Sequence, residues 1–129
     1  MKNILIIGCG LLGSSLLRRI KKNKIAEKVF VYEKSKSNIS KIKKLKLPGK
    51  IVKSLREAVI SADLIILCTP MSEYKKIILE INKFLSPNTL ITDVGSSKIE
   101  STKIIKKFLK KGIQWIQSHP IAIGWLCIH

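Results

Sequence analysis

The first stretch of the sequence able to do chemistry is Gly8-Cys9-Gly10-Leu11-Leu12-Gly13, a G-x-G-x-x-G spacing that follows directly on the apolar run Ile4 to Ile7. A glycine triplet alone carries little information, but between a strand and a helix each glycine has a task. Gly8 permits a tight turn, Gly10 lets a pyrophosphate approach the backbone, and Gly13 lets the helix lie close on the sheet. A helix opening at Leu11 and Leu12 presents unpaired N–H groups and the positive end of its dipole to phosphate oxygens. Gly8, Gly10, Leu11, Leu12 and Gly13 are therefore candidate dinucleotide-binding positions, with a purely structural glycine turn as the alternative.

Glu33 comes 20 residues after Gly13, at the end of a second apolar run. An acidic side chain at that spacing accepts hydrogen bonds from the adenosine ribose hydroxyls and repels a 2′-phosphate, which favours NAD over NADP. Lys34, Ser35 and Lys36 can neutralise such a phosphate, so NADP stays open. Cys68-Thr69-Pro70 closes a fourth run; Pro70 cannot continue a strand ladder and leaves Thr69 to line a cofactor groove. Asp93-Val94-Gly95-Ser96-Ser97-Lys98 closes a fifth, where Ser96 can present a hydroxyl or, alternatively, cap the next helix. His119 follows a sixth run and precedes Pro120, which biases it to an extended conformation. An imidazole titrates near neutrality and suits a proton acceptor, with an incidental loop histidine as the alternative.

These residues need a scaffold that gathers segment ends. Strand-like runs at 3–8, 29–33, 51–52, 63–69, 89–94 and 113–117 alternate with helix-like periods at 11–22, 38–47, 54–60, 72–84 and 98–111. Leu12, Leu16, Leu17 and Ile20 share one face of the first helix, and Tyr74, Ile77, Ile78 and Ile81 one face of the fourth. Ser54 ahead of Glu57 has the capping-box spacing. This pattern predicts an α/β fold, a single Rossmann-type doubly wound parallel sheet of order 3-2-1-4-5-6. Ligands in such a sheet bind beyond the carboxyl ends of the strands, where the residues above fall.

Composition narrows the partners. The chain has 129 residues, 46% of them hydrophobic, and a formal net charge of +17. The excess is lysine, with arginine only at Arg18, Arg19 and Arg56. Dispersed lysine without interleaved aromatics supports weak non-specific contact with nucleic acid, not readout, so no specific nucleic-acid partner is expected. No apolar run approaches a membrane span and no secretory signal is evident, so a soluble, cytoplasmic protein without a membrane partner is expected. Cys9, Cys68 and Cys127 form no C-x-x-C pair, and no metal site is expected.

Taken together, Ile6 to Leu16, Val31-Tyr32-Glu33, Asp63 to Pro70, Thr92 to Lys98 and Ser118-His119-Pro120-Ile121-Ala122 resemble the N-terminal domain of prephenate and arogenate dehydrogenases in order and spacing. The pairing of D-x-G-S-x-K with H-P-[IM]-A is the more specific part. The resemblance implies an NAD(P)-dependent oxidative decarboxylation of prephenate to 4-hydroxyphenylpyruvate in tyrosine biosynthesis, with prephenate or arogenate as substrate. It makes His119 the acceptor of the ring-hydroxyl proton and places Ser96 near that hydroxyl and the nicotinamide. It also implies a homodimer for the full-length family.

The resemblance covers residues 1–122, taken as the dinucleotide-binding domain. Residues 123–129 depart from the family pattern and are taken as an aberrant or truncated tail, with the helical substrate and dimerisation domain absent. Two other readings stay open: a stand-alone NAD(P)-binding regulatory module, and the first domain of a different Rossmann dehydrogenase of the arogenate or hydroxyacid type.

Overall fold

Ile4, Leu5, Ile6 and Ile7 are each at most 1% exposed, as a strand covered on both faces must be. They belong to β1 (Asn3–Ile7), which in this computed structural model lies between β2 (Lys28–Tyr32) and β4 (Leu64–Leu67), parallel to both. The structure describes residues 2–8, 10–95 and 97–116. With β3 (Lys50–Ile51), β5 (Leu90–Asp93) and β6 (Gln114–Ile116) the sheet has the order β3-β2-β1-β4-β5-β6, all pairs parallel, as the alternating pattern predicts.

The period of two along the strands divides the core. Ile4, Ile6, Val31, Leu64 and Ile66 face α1 (Leu11–Lys22) and α2 (Lys36–Lys44), which contribute Leu16, Leu17, Ile20 and Ile42. Leu5, Ile7, Ile65, Leu67 and Ile91 face α3 (Leu55–Ser61), α4 (Tyr74–Ile81) and α5 (Lys98–Phe108), which contribute Val59, Tyr74, Ile77, Ile78, Ile81 and Ile105. Helices thus cover both faces of the sheet, the doubly wound arrangement. Among the described residues no helix is long and apolar enough to cross a membrane.

Several boundaries differ from the expected ones for local reasons. The segment 72–84 opens as a 3-10 turn, Met71–Glu73, before α4 proper. Helix α2 starts earlier than expected because Ser35 caps it, its Oγ accepting from the Asn38 N–H at 3.3 Å. It also ends earlier, at Lys44: Lys46 adopts φ +51°, and Leu47 N–H donates back to Ile42 O at 3.1 Å, closing a Schellman-type turn. Leu45, the C-cap of α2, is accordingly 58% exposed. Helix α5 stops at Phe108, short of Lys111, ahead of a turn in which Gly112 has φ +88°. The cap of α3 is as expected, Ser54 Oγ accepting from Glu57 N–H.

Candidate dinucleotide site

Parallel pairing carries the ends of β1, β2, β4 and β5 to one edge of the sheet. Gly8 N–H donates to Tyr32 O at 2.8 Å, Cys68 N–H to Ile7 O at 2.8 Å and Val94 N–H to Leu67 O at 3.1 Å. Gly8, Glu33, Thr69 and Gly95 follow those ends within two residues, so the sheet's register brings the sequence candidates of four separate segments together.

At the first turn Gly8 has φ +87°, a left-handed conformation open to glycine at little cost. A Cβ there would stand 2.7 Å from Thr69 Cγ2 and 3.1 Å from Thr69 N, so the β1 turn lies directly against the end of β4. Gly10 is the N-cap of α1, and a Cβ on it would meet nothing within 4 Å among the described residues. Gly10 is therefore not needed for packing, and its missing side chain leaves open space in front of the helix. Gly13 is buried within α1, the position where close packing on the sheet was expected. Leu11 and Leu12 open α1, whose first turn holds no acidic side chain to compete for its N–H groups.

A cleft of about 350 Å³ extends from this turn, lined by Gly8, Tyr32, Glu33, Ser35, Thr69 and Pro70 among others. Glu33 follows β2 and lines the cleft, and its Oε1 accepts from Ser35 N–H at 3.0 Å, which restrains the carboxylate. Ser35 also caps α2, so one residue holds both the Glu33 carboxylate and the start of the helix. Beyond Gly10 a broader groove between α1 and α2 holds Ser14, Ser15, Arg18, Arg19 and Lys41. Its positive charge raises the local concentration of a phosphate-bearing ligand without fixing its orientation.

Two features test whether a dinucleotide fits. The space at Gly10 is open among the described residues, so no side chain keeps a ligand from the N-terminus of α1. Thr69 Oγ1 is buried at the cleft without a hydrogen-bond partner among the described residues. An orphaned buried hydroxyl is costly, and one lining a cleft calls for a ligand atom. Gly8, Gly10, Glu33 and Thr69 meet the needs of the group. Ser96 and His119 lie outside the described residues, so the catalytic pair is not among the groups located.

Sequence reasoning missed the role of Asp93. It is 1% exposed, and its Oδ2 accepts from Tyr74 Oη at 3.0 Å and from Gly95 N–H at 3.1 Å. Trp115 Nε1 donates to Oδ1 at 3.4 Å. The helical period placed Tyr74 on the apolar face of its helix, where it is fully buried, but periodicity does not say where a phenol's polar tip goes. An acidic residue ending an apolar strand was the available signal, because a buried carboxyl group needs donors. Burial first, and then the Asp93 carboxylate beside it, push the Tyr74 phenol well above its ordinary range.

Comparison with known proteins bears on this geometry. The family model described as prephenate dehydrogenase, nucleotide-binding domain, matches residues 16–124. The cyclohexadienyl dehydrogenase of Zymomonas mobilis is 32% identical over 121 residues, a match spanning 94% of this chain and 41% of that protein. The prephenate dehydrogenase of Lactococcus lactis is 34% identical over 126 residues, spanning 95% of this chain and 34% of that protein. A solved prephenate dehydrogenase from A. aeolicus, in complex with hydroxyphenyl propionate and NAD+, superposes with a TM-score of 0.80 at 25% identity, covering 94% of this chain and 42% of that one. The chain thus spans less than half the length of these relatives.

Proposed function

The chain belongs to the family of prephenate dehydrogenase nucleotide-binding domains, and from that premise we propose that it binds NAD in the Gly8–Thr69 cleft as the cofactor half of a prephenate dehydrogenase. The observation that carries this reading is the glycine turn: a left-handed Gly8 packed on Thr69, open space at Gly10, and a buried Thr69 hydroxyl with no partner among the described residues.

In the proposed arrangement the first turn of α1 takes the pyrophosphate and Glu33 accepts from the adenosine ribose hydroxyls. Glu33 disfavours a 2′-phosphate, so NAD is preferred and NADP is the weaker ligand. NAD bound there would supply the hydride acceptor for oxidative decarboxylation of prephenate, or of arogenate in its place. His119 takes the proton of the ring hydroxyl, and Ser96 lies near that hydroxyl. These two roles rest on the H-P-I-A and D-x-G-S-x-K motifs. Leu11 and Leu12 contribute backbone N–H groups to the phosphates, and Pro70 shapes the wall beside Thr69. Residence in the cytoplasm, assembly as a homodimer and a domain limit near Ala122 belong to the same proposal.

The experiment joins residues 1–122 to the helical half of a related prephenate dehydrogenase and follows NADH formation on adding prephenate. Turnover is expected, and His119→Asn in the fusion should lower it by ~10²–10⁴-fold, the range for a positioned acid or base. A fusion that binds NAD but turns over equally well without His119 contradicts the assignment of the base.

A further inference from the structure

In a doubly wound sheet a dinucleotide lies across two mononucleotide-binding halves. The glycine turn and Glu33 occupy the β1–β3 half, so the adenosine diphosphate belongs there and the nicotinamide end falls beside the ends of β4, β5 and β6. The Asp93 cluster stands in that second half: Asp93 ends β5, Gly95 forms the turn after it, Tyr74 opens α4 and Trp115 lies in β6. We infer that Tyr74 and Asp93 are a positioning pair for the nicotinamide half of the site. The phenol holds the carboxylate, and the carboxylate holds the Gly95 N–H, so that the turn after β5 keeps the shape against which the nicotinamide rests. The inference builds on the reading of the cleft as an NAD site.

Three observations carry it. The turn is closed around a glycine: a Cβ on Gly95 would stand 2.9 Å from Asp93 Oδ2, from Met71 Cε and from Tyr74 Oη alike. Pair and turn therefore fit as one unit. The pair is also costly as mere packing, because a buried polar pair is often no more stabilising than well-packed apolar residues of similar volume, and α4 is otherwise apolar on this face at Ile77, Ile78 and Ile81. Burial keeps the phenol protonated, so it remains a donor to Asp93 throughout the neutral range.

The test is saturation-transfer NMR on the chain with NAD, comparing signal transferred to nicotinamide protons with that to adenine protons. Tyr74→Phe keeps the ring and removes the donor; Gly95→Ala keeps both side chains but drives a Cβ against Asp93 Oδ2 and Tyr74 Oη, so that pair and turn are displaced together. Both should retain the adenine signal and lose most of the nicotinamide signal. An unchanged nicotinamide signal in both variants overturns the inference. So does a parallel loss at the two ends of the cofactor, which would make the cluster a support of the fold and nothing more. Absence of adenine signal with the unsubstituted chain overturns the NAD reading itself, and the inference with it.

Discussion

Gly8 and Thr69 are packed so closely that a single methyl group on the glycine would stand 2.7 Å from Thr69 Cγ2. The contact joins the ends of β1 and β4, which are neighbours in the sheet although the two residues are 61 positions apart in sequence. Both residues line the cleft, where the Thr69 hydroxyl is buried with no hydrogen-bond partner among the described residues.

Substitution at the two glycines should therefore separate folding from binding. Gly8→Ala forces a left-handed φ on alanine and pushes into Thr69, and an αL residue held in place costs on the order of 1–3 kcal/mol. Thermal melting should shift down and NAD binding should fall with it. Gly10→Ala meets no atom of the described residues within 4 Å, so the melting temperature should barely move while NAD binding drops sharply. Melting curves with and without NAD check both; a Gly10→Ala variant that binds NAD normally would make the open space irrelevant to the cofactor.

Glu33 should set cofactor choice. With its carboxylate tied to Ser35 N–H, Glu33→Gln removes the charge and keeps an acceptor for that N–H. The NAD-over-NADP affinity ratio should fall, chiefly through tighter NADP binding, as the lysines at 34 and 36 and the groove of Arg18, Arg19 and Lys41 then act without opposition. Equal ratios in the two proteins would remove Glu33 from the specificity argument.

The buried phenol predicts an alkaline signature. The folded-state value of Tyr74 is raised above the unfolded value near 10, so the folded protein holds this proton the more tightly. Its contribution to stability is complete below pH 10 and is lost as the pH rises beyond it. Tyr74→Phe should lower stability at neutral pH by about 1–3 kcal/mol, because a buried acceptor loses a donor. It should also flatten the decline above pH 10. Denaturant titrations at pH 7 and at pH 10 to 11 measure both effects, and parallel declines in the two proteins would contradict the account.

Helix ends offer a stabilising test. Lys24 and Lys46 both have φ +51° just past α1 and α2, a conformation that favours glycine. Lys46→Gly should raise stability by about 0.5–1 kcal/mol without affecting NAD binding. A lowered midpoint in denaturant would show that the lysine makes a compensating contact.

The same positions show where the sequence was legible and where it was not. β1, α1 and the glycine turn read correctly because a doubly buried strand, a helical period and a G-x-G-x-x-G spacing all point the same way. The sheet order followed from strict alternation of strand and helix. The end of α2 was misplaced because Lys46, not glycine, occupies the left-handed position that would have marked it. Thr69 and Glu33 were legible as residues at strand ends, since period and spacing locate ends. The Tyr74–Asp93 pair was not, because it joins side chains of two elements across a tertiary contact that no local period encodes.

The measurement that bears most directly on the account is calorimetric titration of the chain with NAD and with NADP. The account predicts one NAD site per chain, weaker binding of NADP, and loss of the NAD heat in Gly10→Ala at unchanged melting temperature. A folded chain that takes up neither dinucleotide, or that binds NAD equally well with alanine at position 10, would contradict it.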